Sequence, residues 1–291
     1  MRNLSKKRNQ QVKNNRMPQV KKQNFFNTLT GALRFTAFWV MVVLQLPIIL
    51  LLPARKKITV KYMAVFMKFL LILASIKMVK HNQMSKKRPL LVAGNHISVF
   101  EIATFPVMFG GSFISKNDVR NWPLIGWIAN KFGVVFIDRR PSHAVEALSL
   151  VQQEISAIDW PLYVFPEGTT TNGAYVKEFK STLFNVAENT DVTIQPVVIQ
   201  YCYHDGTPIS DKDLAEHYAY FDNAKQTQGP KCSRERSAFG QLFHIMVLGG
   251  FCVNVYMLPP PPIGGMTRKQ IAETMHEIIS NKYMELKGNR K

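Results

Sequence analysis

Hydrophobic positions fall along the chain in two regimes. Residues 35–54, FTAFWVMVVLQLPIILLLPA, run for twenty positions without a charge. That is about the length a helix needs to cross the hydrocarbon of a bilayer. Pro47 lies inside the run and is expected to kink or break a helix there. A second apolar stretch, Tyr62–Val79, is interrupted by Lys68 and Lys77. Lys61 and Lys68 are seven apart and share a helix face, which predicts a helix lying at a membrane interface. A buried core helix whose lysines reach out to solvent is the alternative.

From residue 89 the pattern changes to short apolar runs alternating with helix-period segments. PLLVAG (89–94) predicts a buried strand, and Asn95, His96 and Ser98 can cap a helix running to about Gly110. GSFIS (111–115) predicts a strand, WPLIGWIANKF (122–132) a helix and GVVFIDR (133–139) a strand. A helix follows over 143–158, then a strand and turn in PLYVFPEG (161–168), a helix over 179–189 and a strand in VTIQPVVIQY (192–201). VNVYMLP (253–259) predicts a last strand and residues 267–286 a C-terminal helix. Residues 204–237 are polar and contain Gly and Pro, which marks an insertion or long loop. Strands alternating with helices imply an α/β fold, with a mixed, mostly parallel sheet flanked by helices, behind N-terminal membrane-associated helices.

Charge sharpens this division. The first 100 residues hold 19 of the 37 basic side chains and none of the 19 acidic ones; the first acid is Glu101. Residues 1–24 combine Lys and Arg with Asn and Gln, cannot bury apolar area and are expected to form a disordered arm. Arg55, Lys56 and Lys57 follow the apolar run, so both its flanks are basic. A kinked segment that dips into the membrane and returns suits both flanks, and a single spanning helix remains open. Each basic residue near an anionic surface contributes roughly 1 kcal/mol, so the arm favours lipid over nucleic acid, for which residues 101–291 carry no motif. The three cysteines, Cys202, Cys232 and Cys252, form no Cys-x-x-Cys pair, which excludes a disulfide-stapled fold and a zinc ribbon.

The candidate chemistry sits where strands are expected to end. In NHISVFE, His96 is followed five residues later by Glu101. Positions five apart point about 140° away from each other on an ideal helix, so the two meet only if His96 lies in the turn before it. A carboxylate on one imidazole nitrogen fixes the tautomer and stabilises the imidazolium formed when the other takes a proton. No nucleophile accompanies the pair, so the attacking hydroxyl would belong to the substrate. His217 and Asp222 have the same spacing but lie in the polar insertion after no strand; they are taken as a chance match. GVVFIDRR would deliver Arg139, or Arg140 if the register slips, to a strand end suited to phosphate. In FPEGTTTNG, Glu167, Gly168 and Thr169 form a strand-to-loop turn whose amides can make an anion nest. Lys180 follows at the next helix start.

NHISVFE, GVVFIDR, FPEGT and IQPVV, in that order, resemble the glycerolipid acyltransferases, which include the 1-acylglycerol-3-phosphate and lysophospholipid acyltransferases. The likeness covers roughly residues 85–200. It extends to Lys116 and to Trp122–Trp127, and the fuller FPEGTTTNG looks most like the branch acting on lysophosphatidylethanolamine and lysophosphatidylcholine. The chain is therefore expected to divide into a basic disordered arm over 1–34, membrane-associated helical segments over 35–80 and an acyltransferase domain over 81–291. The likeness also implies His96 as base and Glu101 as its partner, in an HX4E arrangement where the family usually has Asp. Arg139, Glu167, Gly168, Thr169, Lys116 and Lys180 would bind the acceptor, and no metal is implied. Thr170 stands where many phosphatidate-forming members carry Arg, which weakens the case for lysophosphatidate. No cofactor is expected beyond acyl-CoA or acyl carrier protein as donor. The expected partners are membrane lipids and an anionic membrane surface, with the site on the cytoplasmic face. Acylation of another lyso-lipid such as an aminolipid, and a catalytically inactive membrane scaffold, are the alternatives.

Overall fold

The computed structural model describes residue 20 and residues 24–122, 125–137, 144–188 and 190–288. Its centre is a seven-stranded sheet in the order β1-β7-β6-β2-β5-β3-β4. The strands are β1 (Lys77–His81), β2 (Leu90–Gly94), β3 (Ser112–Lys116), β4 (Val135–Ile137), β5 (Leu162–Val164), β6 (Thr193–Cys202) and β7 (Cys252–Met257). Every neighbouring pair is parallel except β6 with β7. All of β2 and all but the first residue of β6 are buried, as expected for strands covered on both faces. Because β2, β3, β4, β5 and β6 run the same way, their C-terminal ends share one edge of the sheet, and the loops leaving that edge come together.

Helices flank this sheet. The N-terminal helix α1 (Phe25–Leu51) lies along α6 (Ala238–Leu248), and α2 (Lys57–Leu73) lies along α3 (Glu101–Phe109). Between them in the chain come α4 (Ile125–Lys131) and α5 (Ala144–Ala157). The C-terminal helix α7 (Arg268–Gly288) packs on β6 and on the 3-10 turn Ser181–Ala187.

Several expectations need correction. Helix α1 starts at Phe25, inside the stretch expected to be a disordered arm. Asn24 caps it, its side-chain oxygen accepting the Asn27 amide at 2.8 Å. Gly31 then lets α1 approach α6 so closely that a methyl at that position would fall 2.4 Å from a Val247 methyl. The helix also continues through Pro47 to Leu51. Pro47 stands in the last turns, and beyond it the carbonyls at the helix end, which have no partner within the helix, are met from outside: Lys131 Nζ donates to those of Ile49, Leu50 and Leu52, each at 2.7 Å. The second apolar stretch divides. Helix α2 ends at Leu73, Ser75 takes a positive φ, and Lys77 begins an edge strand paired with β7. Lys61 and Lys68 are exposed on α2, whereas Lys77 belongs to the sheet.

The segment 204–237 is the long, mostly irregular stretch expected, but it is partly buried. Leu214, Ala215, Tyr218, Ala219 and Phe221 are buried within it, and the Tyr220 amide donates to the Ile97 carbonyl at 3.0 Å. The helix expected over 179–189 is the 3-10 turn, and that expected over 122–132 is shortened to α4, with a separate turn at Asn117–Arg120.

Candidate active site

The site begins at the turn between β2 and α3. Asn95 does not cap α3. Its amide instead bridges to β6, donating to the Ile199 carbonyl at 3.0 Å and accepting the Ile199 amide at 2.8 Å. Ser98 does not cap with its side chain either; α3 is entered from Phe100 without a side-chain cap, and Glu101 occupies the first turn. This turn folds His96 back over Glu101. His96 Nδ1 lies 2.9 Å from Glu101 Oε2, which also accepts the Ser98 amide at 2.8 Å. Glu101 is 0% exposed, and its Oε1 accepts the hydroxyl of buried Tyr201. With Nδ1 donating to a carboxylate, the opposite ring nitrogen of His96 is the one that can accept a proton. The ring is held flat on Phe165, with centroids 4.1 Å apart and planes 9° apart.

The loop after β5 is tied to the same turn. Glu167 is buried and accepts two backbone amides, His96 at 2.6 Å and Lys177 at 2.9 Å. The Thr171 amide donates back to the His96 carbonyl at 2.9 Å. Gly168 has φ of +72°, and a methyl there would meet the end of the Lys180 side chain, 2.9 Å from Nζ. Lys180 thus brings its ammonium alongside the turn of Gly168 and Thr169. A cavity of about 350 Å³ opens between this loop and His96. Its walls include Val99, Ile102, Phe113, Ile114, Val119 and Val134, and its polar lining includes Ser115, Gly168, Thr169, Thr170 and Tyr220.

Burial pushes the Glu167 carboxyl up from 4.5 to about 8; the Lys177 and His96 amides oppose the rise and the Glu101 charge adds to it. Between those values the folded protein binds a proton that the unfolded chain has released. Its unfolding free energy therefore falls as pH climbs through that window. A glutamine would turn an N–H toward one of the two amides and could not titrate. Denaturant midpoints measured from about pH 5 to about pH 8.5 should decline more for wild type than for Glu167→Gln. Parallel declines would remove Glu167 as their source.

Comparison with known proteins now bears on this geometry. A family model described as Acyltransferase matches residues 75–200. A lyso-ornithine lipid O-acyltransferase from Pseudomonas aeruginosa is 31% identical over 199 residues, covering 66% of this chain and 67% of that protein. The chain belongs to the acyltransferase family. A 1-acyl-sn-glycerol-3-phosphate acyltransferase from Neisseria gonorrhoeae is 30% identical over 111 residues, 38% of this chain and 44% of its own length. A lyso-ornithine lipid O-acyltransferase from Rhodobacter capsulatus is 38% identical over 119 residues, and the chain spans 43% of its length. The crystal structure of the 1-acyl-sn-glycerophosphate acyltransferase from Thermotoga maritima superposes with a TM-score of 0.59 at 19% identity, covering 90% of this chain and 98% of that one. At that identity the likeness establishes a shared fold.

Within this acyltransferase, the structure brings His96, Glu101, Glu167, Gly168, Thr169 and Lys180 together. Lys116 closes β3 opposite Ile137 on β4, at the same sheet edge; its side chain lies outside the described residues. Arg139 and Arg140 also lie outside them. His217 faces His244 at 3.3 Å, and burial pushes both imidazoles below their usual range, His244 to about 4. Asp222 pairs with Lys225 instead. Sequence reasoning missed Tyr201, Phe165 and Tyr220. A phenol at the C-terminal end of a buried strand was the available signal for Tyr201. Tyr220 had none, because its segment looked like solvated insertion.

Proposed function

We propose that the chain is a membrane-bound O-acyltransferase. It transfers a fatty acyl group from a thioester donor to the free hydroxyl of a lysophospholipid or lysophosphatidate. The observation that supports this most directly is the His96–Glu101 pair, with the carboxylate buried and the imidazole lining a largely apolar cavity. In this reading His96 takes the proton from the acceptor hydroxyl at the nitrogen opposite Glu101. The oxygen attacks the thioester carbonyl, and the tetrahedral oxyanion collapses, expelling the thiolate. The imidazolium returns its proton to the departing sulfur, so no covalent enzyme intermediate is required. Lys180, beside Gly168 and Thr169, supplies positive charge for an acceptor phosphate, with Arg139 and Lys116 as further candidates. Glu167 acts on the loop, holding it against the His96 turn through two amides.

The membrane assignment rests on α1, the one helix among the described residues long and apolar enough to cross a bilayer. Its outward side chains include Val43, Leu44 and Leu51. Helix α2, with Val65, Phe69 and Ile72 outward, packs along α3, whose exposed Ile102 lines the cavity. A lysolipid could therefore enter from the bilayer while the donor, acyl-CoA or acyl carrier protein, arrives from the cytoplasmic face.

The relatives named for lyso-ornithine lipid favour an aminolipid acceptor as a second reading. Thr170 agrees with it, since an arginine is missing where a phosphate would be gripped. Thiol release from an acyl thioester, followed by mass spectrometry of products from a lysolipid panel, tests all readings. Acylated lysophospholipid or lysophosphatidate is expected. Product only from lyso-ornithine lipid would move the assignment to the aminolipid, and no product from any acceptor would leave an inactive scaffold.

A further inference from the structure

Glu101 is one methylene longer than an aspartate, and the structure gives that reach a partner. Oε2 is engaged by the His96 imidazole and the Ser98 amide, while Oε1 accepts the Tyr201 hydroxyl. Tyr201 is 2% exposed at the end of β6, with its ring against Phe251 at 4.5 Å between centroids. Two residues earlier, Ile199 is bonded in both directions to Asn95, the residue preceding His96. The strand that carries the phenol is thus registered to the turn that carries the imidazole.

We propose that Tyr201 is a positioning residue: its hydroxyl fixes the second oxygen of Glu101, keeping the carboxylate aimed at His96 Nδ1. The inference rests on the acyl-transfer reading and assigns to β6 a part in it. A fully buried carboxylate needs its lone pairs met, and three donors do so here, two from the β2–α3 turn and one from β6. Burial and the Glu101 charge push the Tyr201 phenol well above its ordinary 10, so it remains a donor across the working range. The titratable groups around the carboxylate are His96 from the β2–α3 turn, Glu167 from the loop after β5 and Tyr201 from β6, with Tyr283 of α7 beyond Tyr201.

Without the hydroxyl, one oxygen of Glu101 is left without a donor in the core, and the carboxylate is free to turn away from the imidazole whose tautomer it fixes. The test compares full-length wild type, Tyr201→Phe, Glu101→Asp and the double variant in detergent. In Tyr201→Phe, kcat is expected to fall about 10- to 100-fold with KM for either substrate changed less than about threefold. In the Asp background, where the shorter carboxylate no longer reaches the phenol, removing the hydroxyl should cost little more. Equal losses in both backgrounds, or a KM that rises as much as kcat falls, would overturn the role. If wild type transfers no acyl group at all, the acyl-transfer reading fails. The imidazole nitrogen resonances of His96 then decide: a displaced Nδ1 signal in Tyr201→Phe supports the positioning role, and an unchanged one overturns it.

Discussion

Replacing His96 by alanine is expected to lower kcat/KM for acyl transfer by about 10²- to 10⁴-fold, the range general acid–base groups supply. The imidazole is the one described side chain that both lines the cavity and is backed by a buried carboxylate. Alanine also takes a donor from Glu101 and a ring from the face of Phe165. Part of any loss could therefore come from a stability cost of about 1–3 kcal/mol for the underserved carboxylate. His96→Gln separates the two effects, because its amide can donate to Glu101 but cannot take a proton. Glutamine should restore most of the melting temperature and none of the activity. Either variant working within about tenfold of wild type would remove His96 as the base. The backbone N–H of residue 96 keeps its bond to Glu167 in both variants, so the loop after β5 stays in place.

The pair was legible because its spacing makes sense only at a strand-to-helix turn, and PLLVAG is a short, fully apolar run ahead of it. The turn after β5 was legible for the same reason. Positions whose role depends on distant packing were not. Asn27, Thr28 and Thr30 give the start of α1 a polar look, and the Asn24 cap and the close packing on α6 at Gly31 are contacts that no local pattern announces. Lys77–His81 carries two lysines and becomes a strand because β7 offers an edge, with each Lys turned outward. In the 204–237 segment the buried residues are diluted by charge and follow no steady period. What binds that segment is side-chain to backbone bonding: Asn172 donates to the carbonyls of Gln228 and Pro230, and Gln226 to that of Thr170. Such bonds leave no periodic trace. They nevertheless place Tyr220 in the cavity wall.

Placing glutamate at Leu44 and Phe69 together is expected to reduce partition onto vesicles containing phosphatidylglycerol by at least about 10²-fold. These side chains are 65% and 52% exposed, on α1 and α2 respectively, so neither substitution disturbs the core. An acidic group near the bilayer centre costs about 2.5–3.5 kcal/mol, and two at shallower depth together still cost about the 2.7 kcal/mol that a 10²-fold loss requires, while the attraction of the basic arm, roughly 1 kcal/mol per residue at the surface, is unchanged. Deleting residues 1–80 would be a poorer experiment. It would remove most of β1, which pairs with β7 from Lys77 onward, and strip α2 from α3, the helix that carries Glu101. In the double glutamate variant those contacts remain. Transfer to a lysolipid below its micellar concentration should then match wild type, while transfer to lysolipid in vesicles falls with binding. Undiminished sedimentation with vesicles would place the membrane contact elsewhere on the chain. Equal loss on dissolved and vesicle-bound acceptor would mean that the two positions act on the fold rather than on lipid.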